Sequence, residues 1–280
     1  MTVFVCLPCY NEALSLPPLL DEFARLKQTL PEPLRLIAVD DGSADSTRRV
    51  LDASAHAGDL SIRVVAHPQN RGLGPAILSG LKAALEEAAP DERNPQKQSN
   101  EARDTGGGGG DVIVCMDADN THDPRYIPQM VQRIRAGADV VIASRYRGGS
   151  AEVGVPLFRR LLSHAARWVF RLCLPISGVR DYTCGYRAYR VALLREAMNV
   201  FGDQLIERRG FACTDEILVK LSSLTQRIEE IGFVLRYDKK RGRSSLPLLD
   251  TIRGTLKLLY HGRMLRARAR RLVAQRPPRA

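Results

Sequence analysis

Asp117-Ala118-Asp119 sets two carboxylates on either side of one small residue, directly after the apolar run 112–116. Carboxylate oxygens in such a turn can hold a hard divalent cation, and a cation with few protein ligands keeps positions for phosphate oxygens. It can then neutralise the charge that builds on a leaving diphosphate. Alone, the pair reads equally as solvated turn acids. Two further polar turns follow apolar runs in the same way: Pro8-Cys9-Tyr10-Asn11-Glu12 after 3–7, and Asp40-Asp41-Gly42 after 34–39. Asp40 or Asp41 could accept from a nucleobase or a ribose hydroxyl, or only cap the next helix. Arg145 follows the run 140–144, where a guanidinium can pair with phosphate or with a neighbouring carboxylate.

Those turns need elements that hold them. The runs at 3–7, 34–39, 62–66, 112–116 and 140–144 have the length and character of buried strands. Between them, 14–30 shows helical spacing at Leu16, Leu19, Leu20, Phe23 and Leu26, and 72–89 and 128–137 also predict helices. Ser43 and Asp45 are candidate N-caps for a helix through Val50. Strands alternating with helices predict an α/β fold, a mainly parallel sheet with helices on both faces. Ligands of such sheets bind at the carboxyl ends of the strands, so the acidic turns and Arg145 should meet on one edge. The second half reads as a helix over 158–174 carrying Arg159, Arg160, Arg167 and Arg171, a turn-rich segment 181–189, a helix 214–224 capped by Thr214, one or two strands over 227–236, a basic loop 239–243, and a basic helix from 246. The polar stretch 90–110 ends in five glycines and predicts a mobile insertion.

Composition bounds the partners. A chain of 280 residues that is 44% hydrophobic can bury a real core. Lys and Arg total 42 against 31 Asp and Glu, a net charge of +11, which favours anionic partners. Part of that excess belongs to the tail, which has no carboxylate side chain after Ile252. Cys6-Leu7-Pro8-Cys9 lacks the second close pair a zinc site needs and does not open a helix, so buried small side chains are the better reading. No leader pattern precedes the first strand, and the longest apolar stretch, 161–179, is broken by Arg167, Arg171 and Pro175. The expectation is a cytoplasmic protein, soluble or peripheral on the inner face of the membrane. A basic amphipathic helix over 252–273 could lie on an anionic surface or pack on the domain. No nucleic acid partner is expected, since no basic face is rich in aromatics.

In order and spacing, the strand-end motifs, with Asn70-Arg71-Gly72-Leu73-Gly74 and Ala143-Ser144-Arg145-Tyr146, resemble those of the family 2 (GT-A fold) glycosyltransferases. The branch most similar is that of dolichol-phosphate mannose synthases and polyprenyl-phosphate glycosyltransferases. Asp181-Tyr182-Thr183-Cys184-Gly185-Tyr186-Arg187-Ala188-Tyr189, Gly210-Phe211 with Glu216, and Arg241-Gly242-Arg243-Ser244 resemble its later signatures. The resemblance implies a catalytic domain over 1–246 and a basic helical tail over 247–280. It implies inverting, metal-dependent transfer of a sugar from a GDP- or UDP-linked donor to a polyprenyl or dolichyl phosphate, with Mg²⁺ or Mn²⁺. Pro8, Tyr10, Glu12 and Asp40 match nucleoside positions, and Asp117 and Asp119 match metal and diphosphate positions. Arg145, Arg159 and Ser163 match acceptor-phosphate positions, with Arg241 or Arg243 closing over them. Asp119 and Arg145 are then the catalytic pair. Relatives often carry Gln where Thr121 stands, so the third metal contact is weak here; His122 beside it could substitute, though a loop residue is the better reading. One alternative keeps the donor site but takes a hydroxyl acceptor, with Asp215 as base. Another is a basic membrane- or nucleic-acid-binding module with a degenerate site, which the three intact acidic turns oppose.

Overall fold

The structure, a computed structural model, describes residues 1–88 and 110–241, with positions 260, 262, 267 and 271 beyond them. The insertion 90–110, apart from Gly110, lies outside the described residues, as do Arg243 and nearly all of the predicted tail helix.

Strand β1 (Val3–Cys9) is buried along most of its length and pairs in parallel with β2 (Leu34–Asp40) and β4 (Val112–Cys115). Strand β3 (Ser61–Ala66) extends the sheet beyond β2. The register sets Cys9 opposite Asp40 and Cys6 opposite Cys115. The turns after β1, β2 and β4 therefore leave the sheet along one edge, as the alternation predicts. Helices α1 (Leu16–Thr29), α2 (Thr47–Ala57) and α3 (Leu73–Glu87) supply the crossovers in this half. After α4 (Ile127–Arg135), β5 (Val140–Ser144) pairs in parallel with β8 (Ile228–Gly232). A small second sheet joins β6 (Ala151–Val153) to β9 (Val234–Arg236), and α5 (Leu157–Cys173) follows β6.

The turn-rich reading of 181–189 needs correction. Residues Arg187–Arg190 form β7, antiparallel between β4 and β5 in the order β3-β2-β1-β4-β7-β5-β8. Its sequence has no apolar run to announce a central strand. The fully buried Arg187 is accommodated because its guanidinium donates to the carbonyls of Tyr182 (2.5 Å) and Thr214. Helix α6 (Val191–Phe201) follows at once and was not predicted. Thr214 is not a cap: α7 (Ala212–Leu221) begins two residues earlier, and the Thr214 hydroxyl donates back to the Phe211 carbonyl at 2.9 Å. At the start of α2 the side chain of Asp45 accepts from the Thr47 amide (2.9 Å), while Ser43 is used elsewhere. The 227–236 segment is two strands, broken at the buried Phe233. All six cysteines are free; Cys6 and Cys9 lie three apart in β1 and so on opposite faces.

Helix α3 packs directly on β1 and β2. Gly80 permits that approach: a Cβ there would overlap the Cys6 sulfur and stand 3.2 Å from a Val39 methyl. Gly80→Ala should cost about 1–3 kcal/mol through overpacking, read as a lower denaturant midpoint with unchanged slope. Adding Cys6→Ala should recover part of the loss.

Candidate active site

The loops after β1 and β2 are sewn together by side-chain to backbone bonds. Asn11 adopts a left-handed backbone (φ 56°), and its side-chain oxygen accepts from the Ala44 amide at 2.8 Å. The Asn11 amide donates to the Ser43 hydroxyl (3.0 Å) and the Glu12 amide to the Thr47 hydroxyl (2.7 Å). Gly42 (φ +67°) lies so close to the backbone of Gln69 and Asn70 that no side chain fits. The two adjacent aspartates divide their tasks. Asp41 accepts from His67 Nδ1 (2.6 Å), the Arg71 amide (2.9 Å) and the Gly72 amide (2.8 Å), which occupies it in holding the 67–72 loop. Among the described residues the Asp40 side chain accepts only the Ser43 amide, at 3.0 Å, which keeps acceptor capacity for a ligand. Pro8 and Glu12 are half-buried on this edge and the Tyr10 ring is exposed.

Asp117 and Asp119 leave β4 toward Glu12, and the three carboxylates crowd one another. Burial raises the pKa of Glu12 to about 7; Ser15 lowers it, Asp119 and Asp117 raise it, and Lys240 lowers it. Asp117 is pushed up by burial and by Asp119, against the pull of His122 and Lys240. Asp119 is held below the usual range: burial works against this, but the Lys240 ammonium at 2.5 Å and the Thr121 hydroxyl at 2.6 Å outweigh it. Carboxylates crowded in this way fit a divalent cation. Among the described residues no three acidic, His or Cys side chains close around an ion by themselves. An ion here would complete its shell with diphosphate and water, which Mg²⁺ and Mn²⁺ accept. Thr121 and His122 stand behind the acids. Thr121 donates both its amide (3.1 Å) and its hydroxyl to Asp119 Oδ1. His122 is buried, stacks on Tyr186 with ring centroids 5.1 Å apart, and accepts the Asp117 amide on Nδ1 at 3.1 Å.

The cationic side of the site rests on β5 and α5. Arg145 is locked by Asp181, which has no exposed surface. Its Nε donates to Asp181 Oδ2 (2.8 Å), its Nη2 to Oδ1 (2.7 Å), and its amide to Oδ2 (3.0 Å). Burial alone would raise the Asp181 pKa, but the Arg145 charge and these bonds bring it below the usual range. The same guanidinium reaches the hydroxyls of Thr183 (2.6 Å) and Ser163 (3.3 Å), which brings Arg145 and Ser163 together. Arg159, one turn earlier on α5, is aimed by Tyr237: it donates to the phenol oxygen at 2.9 Å and covers the ring at 5.4 Å. The Arg241 carbonyl accepts from the Ser15 hydroxyl (3.3 Å), which lays the 240–241 backbone against the β1 loop. Sequence reasoning missed Lys240 and Asp181 as site residues. Asp181 stood inside a quoted signature, whereas Lys240 lay unmarked among several basic neighbours. Asp215, the candidate base, is buried, and its Oδ1 has no hydrogen-bond partner among the described residues; burial raises its pKa to about 8 against the pull of Arg187.

The family model for glycosyl transferase family 2 matches residues 4–88 and 108–198, which takes in the β1, β2, β4 and β5 turns and the segment leading into β7. The chain belongs to that family. Undecaprenyl-phosphate mannosyltransferase of Micrococcus luteus is 33% identical over 88% of this chain and 88% of that one. Dolichol-phosphate mannosyltransferase of Pyrococcus furiosus is 30% identical over 88% of this chain, but over 59% of its own length. Glucosyl-3-phosphoglycerate synthase of Mycobacterium tuberculosis, solved with Mn²⁺, UDP and glucosyl-3-phosphoglycerate, shares the fold with a TM-score of 0.60 at 21% identity, covering 95% of this chain and 79% of that one. The family 2 assignment and the GT-A type of α/β fold agree with the sequence motifs.

The buried Arg145–Asp181 pair yields a stability test in this family 2 chain. Asp181→Asn leaves the guanidinium without its counter-charge and should cost about 3–5 kcal/mol at neutral pH. The Asp181 contribution is present above the ordinary aspartate pKa and is lost as pH falls through the depressed folded value. The gap between wild type and variant in urea denaturation should therefore narrow below about pH 4.

Proposed function

We propose that the protein transfers a sugar, with inversion, from a GDP- or UDP-linked donor to the phosphate of a polyprenyl or dolichyl lipid. The observation that carries this reading is the preset Arg145, held by Asp181 and pointed at Ser163 across from the acidic turn. Residues 1–246 form the catalytic unit in this reading. Tyr10, Glu12 and Asp40, with Pro8 shaping the β1 edge, receive the nucleoside. Asp117 and Asp119 hold a divalent cation, Mg²⁺ or Mn²⁺, which when bound offsets charge on the departing diphosphate.

The acceptor needs no strong base, because a phosphate monoester is already anionic at neutral pH. Its oxygen needs alignment with the anomeric carbon, and Arg145, Ser163 and Arg159 supply fixed donors for that. Arg241 closes over the same phosphate from the β1 side. A hydroxyl acceptor would call on Asp215 instead, and a raised pKa suits a base, but its burial leaves it no direct approach to an acceptor.

Helix α5 supports a peripheral membrane position. Phe170 is its only buried residue, while Leu157, Leu161, Trp168 and Leu172 lie about one turn or two apart with 60–80% of their surface exposed. Arg160 and Arg171 are exposed beside them, and Arg167 and Arg171 flank the Trp168 ring. An apolar stripe edged by arginines matches an anionic bilayer surface. No helix among the described residues is long and apolar enough to cross a membrane. The basic tail, which could lie on such a surface or pack on the domain, falls mostly outside the described residues.

Incubation with GDP- and UDP-sugars, a polyprenyl phosphate and Mn²⁺ or Mg²⁺ should yield a lipid-linked sugar. Asp119→Ala should abolish the product, and Arg145→Lys should lower kcat/KM about a hundredfold, since a point charge does not replace the forked donor. Absence of lipid product with every donor overturns the reading. Loss of activity in Asp215→Asn together with full activity in Arg159→Ala redirects it to a hydroxyl acceptor. In co-sedimentation, wild type should follow anionic vesicles at low salt, and Leu161→Glu with Leu172→Glu should remain in solution.

A further inference from the structure

Among the described residues, Lys240 brings an ammonium to the acidic turn. Its ammonium lies 2.5 Å from Asp119 Oδ2, both side chains are largely buried, and Asp117 and Glu12 also act on it electrostatically. Among the described residues one ammonium faces Asp119, Asp117 and Glu12, which leaves the cluster short of positive charge. A divalent ion matches it better, and the ammonium at 2.5 Å from Asp119 Oδ2 repels a cation that approaches the same oxygen.

The segment that carries Lys240 is tied to both halves of the site. At its start the Arg236 amide donates to the Thr121 carbonyl at 3.0 Å, directly behind the acidic turn. At its end the Arg241 carbonyl takes the Ser15 hydroxyl. In the middle the Tyr237 ring lies beneath two cations, Arg159 at 5.4 Å and Lys240 at 5.8 Å, and the phenol oxygen accepts from Arg159. Whatever moves Lys240 therefore disturbs the ring that aims Arg159.

We propose that Lys240 is a positioning residue whose ammonium and a divalent cation compete for Asp119, so that cation entry frees the 236–241 segment and, through Tyr237, re-aims Arg159 on the acceptor side. This rests on the cation reading of Asp117 and Asp119 given above. The order of events follows from the competition: the acceptor side reaches its working arrangement only after the cation has arrived with the donor. An equilibrium of this kind weakens cation binding by the fraction of sites the ammonium holds.

The test uses Mn²⁺ alone, with neither donor nor acceptor, so its outcome is independent of whether lipid-linked sugar forms. Electron paramagnetic resonance counts free Mn²⁺ for wild type, Lys240→Met, Lys240→Gln and Lys240→Arg, each checked for folding by circular dichroism. The neutral variants should bind Mn²⁺ about tenfold more tightly, as expected if the ammonium holds about nine sites in ten, and the Arg variant should stay near wild type. Hydrogen exchange at 236–241 should speed up in wild type when Mn²⁺ is added and be fast from the outset in Lys240→Met. Unchanged or weaker Mn²⁺ binding in both neutral variants overturns the proposal, as does exchange indifferent to Mn²⁺. Unchanged Mn²⁺ binding with weakened binding of free nucleoside diphosphate would make Lys240 a phosphate ligand instead.

Discussion

Asp181 has no contact with solvent, and the group it faces cannot give up its charge. Separating that pair would strand an ion in the interior, so the end of β5 and the segment before β7 are held as one body. The antiparallel course of β7 makes the contact possible. Because β7 runs against β4 and β5, the residues that enter it, 181–186, lie at the carboxyl ends of those two antiparallel neighbours. The site thus gains a segment that a purely parallel sheet would have carried to the opposite edge. The same segment secures α5: Tyr182 stacks on Phe170 with ring centroids 5.2 Å apart and planes 9° from parallel, and its phenol oxygen accepts the Ile176 amide at 3.1 Å. One buried ion pair and one aromatic stack orient a helix whose outer face is almost wholly exposed.

Charge is sorted across the site. Carboxylates collect at the ends of β1, β2 and β4, and guanidinium groups at the end of β5 and along α5. Each cluster is costly alone, because like charges at short range in a half-buried cleft repel strongly. Each therefore has a local answer within the protein, Asp181 for Arg145 and Lys240 for Asp119. The difference lies in permanence. Asp181 is fully buried and bonded on both oxygens, whereas Lys240 sits on a short segment at the site mouth. A fixed counter-ion preorganises donors, whereas Lys240 meets one carboxylate oxygen through the end of a long side chain.

Several polar residues near the reaction centre have work that is structural. Asp41 gathers the 67–72 loop, Thr121 restrains one oxygen of Asp119, and His122 supports the Asp117 amide while filling space against Tyr186 and Phe233. Each holds a backbone turn that has no regular ladder to satisfy it. The precision of the acidic edge depends on these bonds as much as on the carboxylates.

Much of this was legible in the linear chain. Apolar runs ended by polar turns reveal parallel strands, since both faces of such strands are covered and both must be apolar. Strand direction then dictates that Pro8–Glu12, Asp40, Asp117–Asp119 and Arg145 share an edge. Ordered motifs marked the family. What the chain could not reveal by itself is anything that depends on partners distant in sequence. Arg187-Ala188-Tyr189-Arg190 is too polar to read as a central strand, because its strand state comes from Val114 and Val141 on either side and from carbonyls that absorb a buried guanidinium. Helix propensity could not choose between Thr214 and Ala212 as the start of α7. Nor could spacing show which of two adjacent aspartates holds a loop, or that Lys240 reaches a carboxylate 121 residues away. Periodicity is a local property that the chain carries everywhere, whereas charge pairing across the site exists only once the sheet order brings remote turns within a few ångströms.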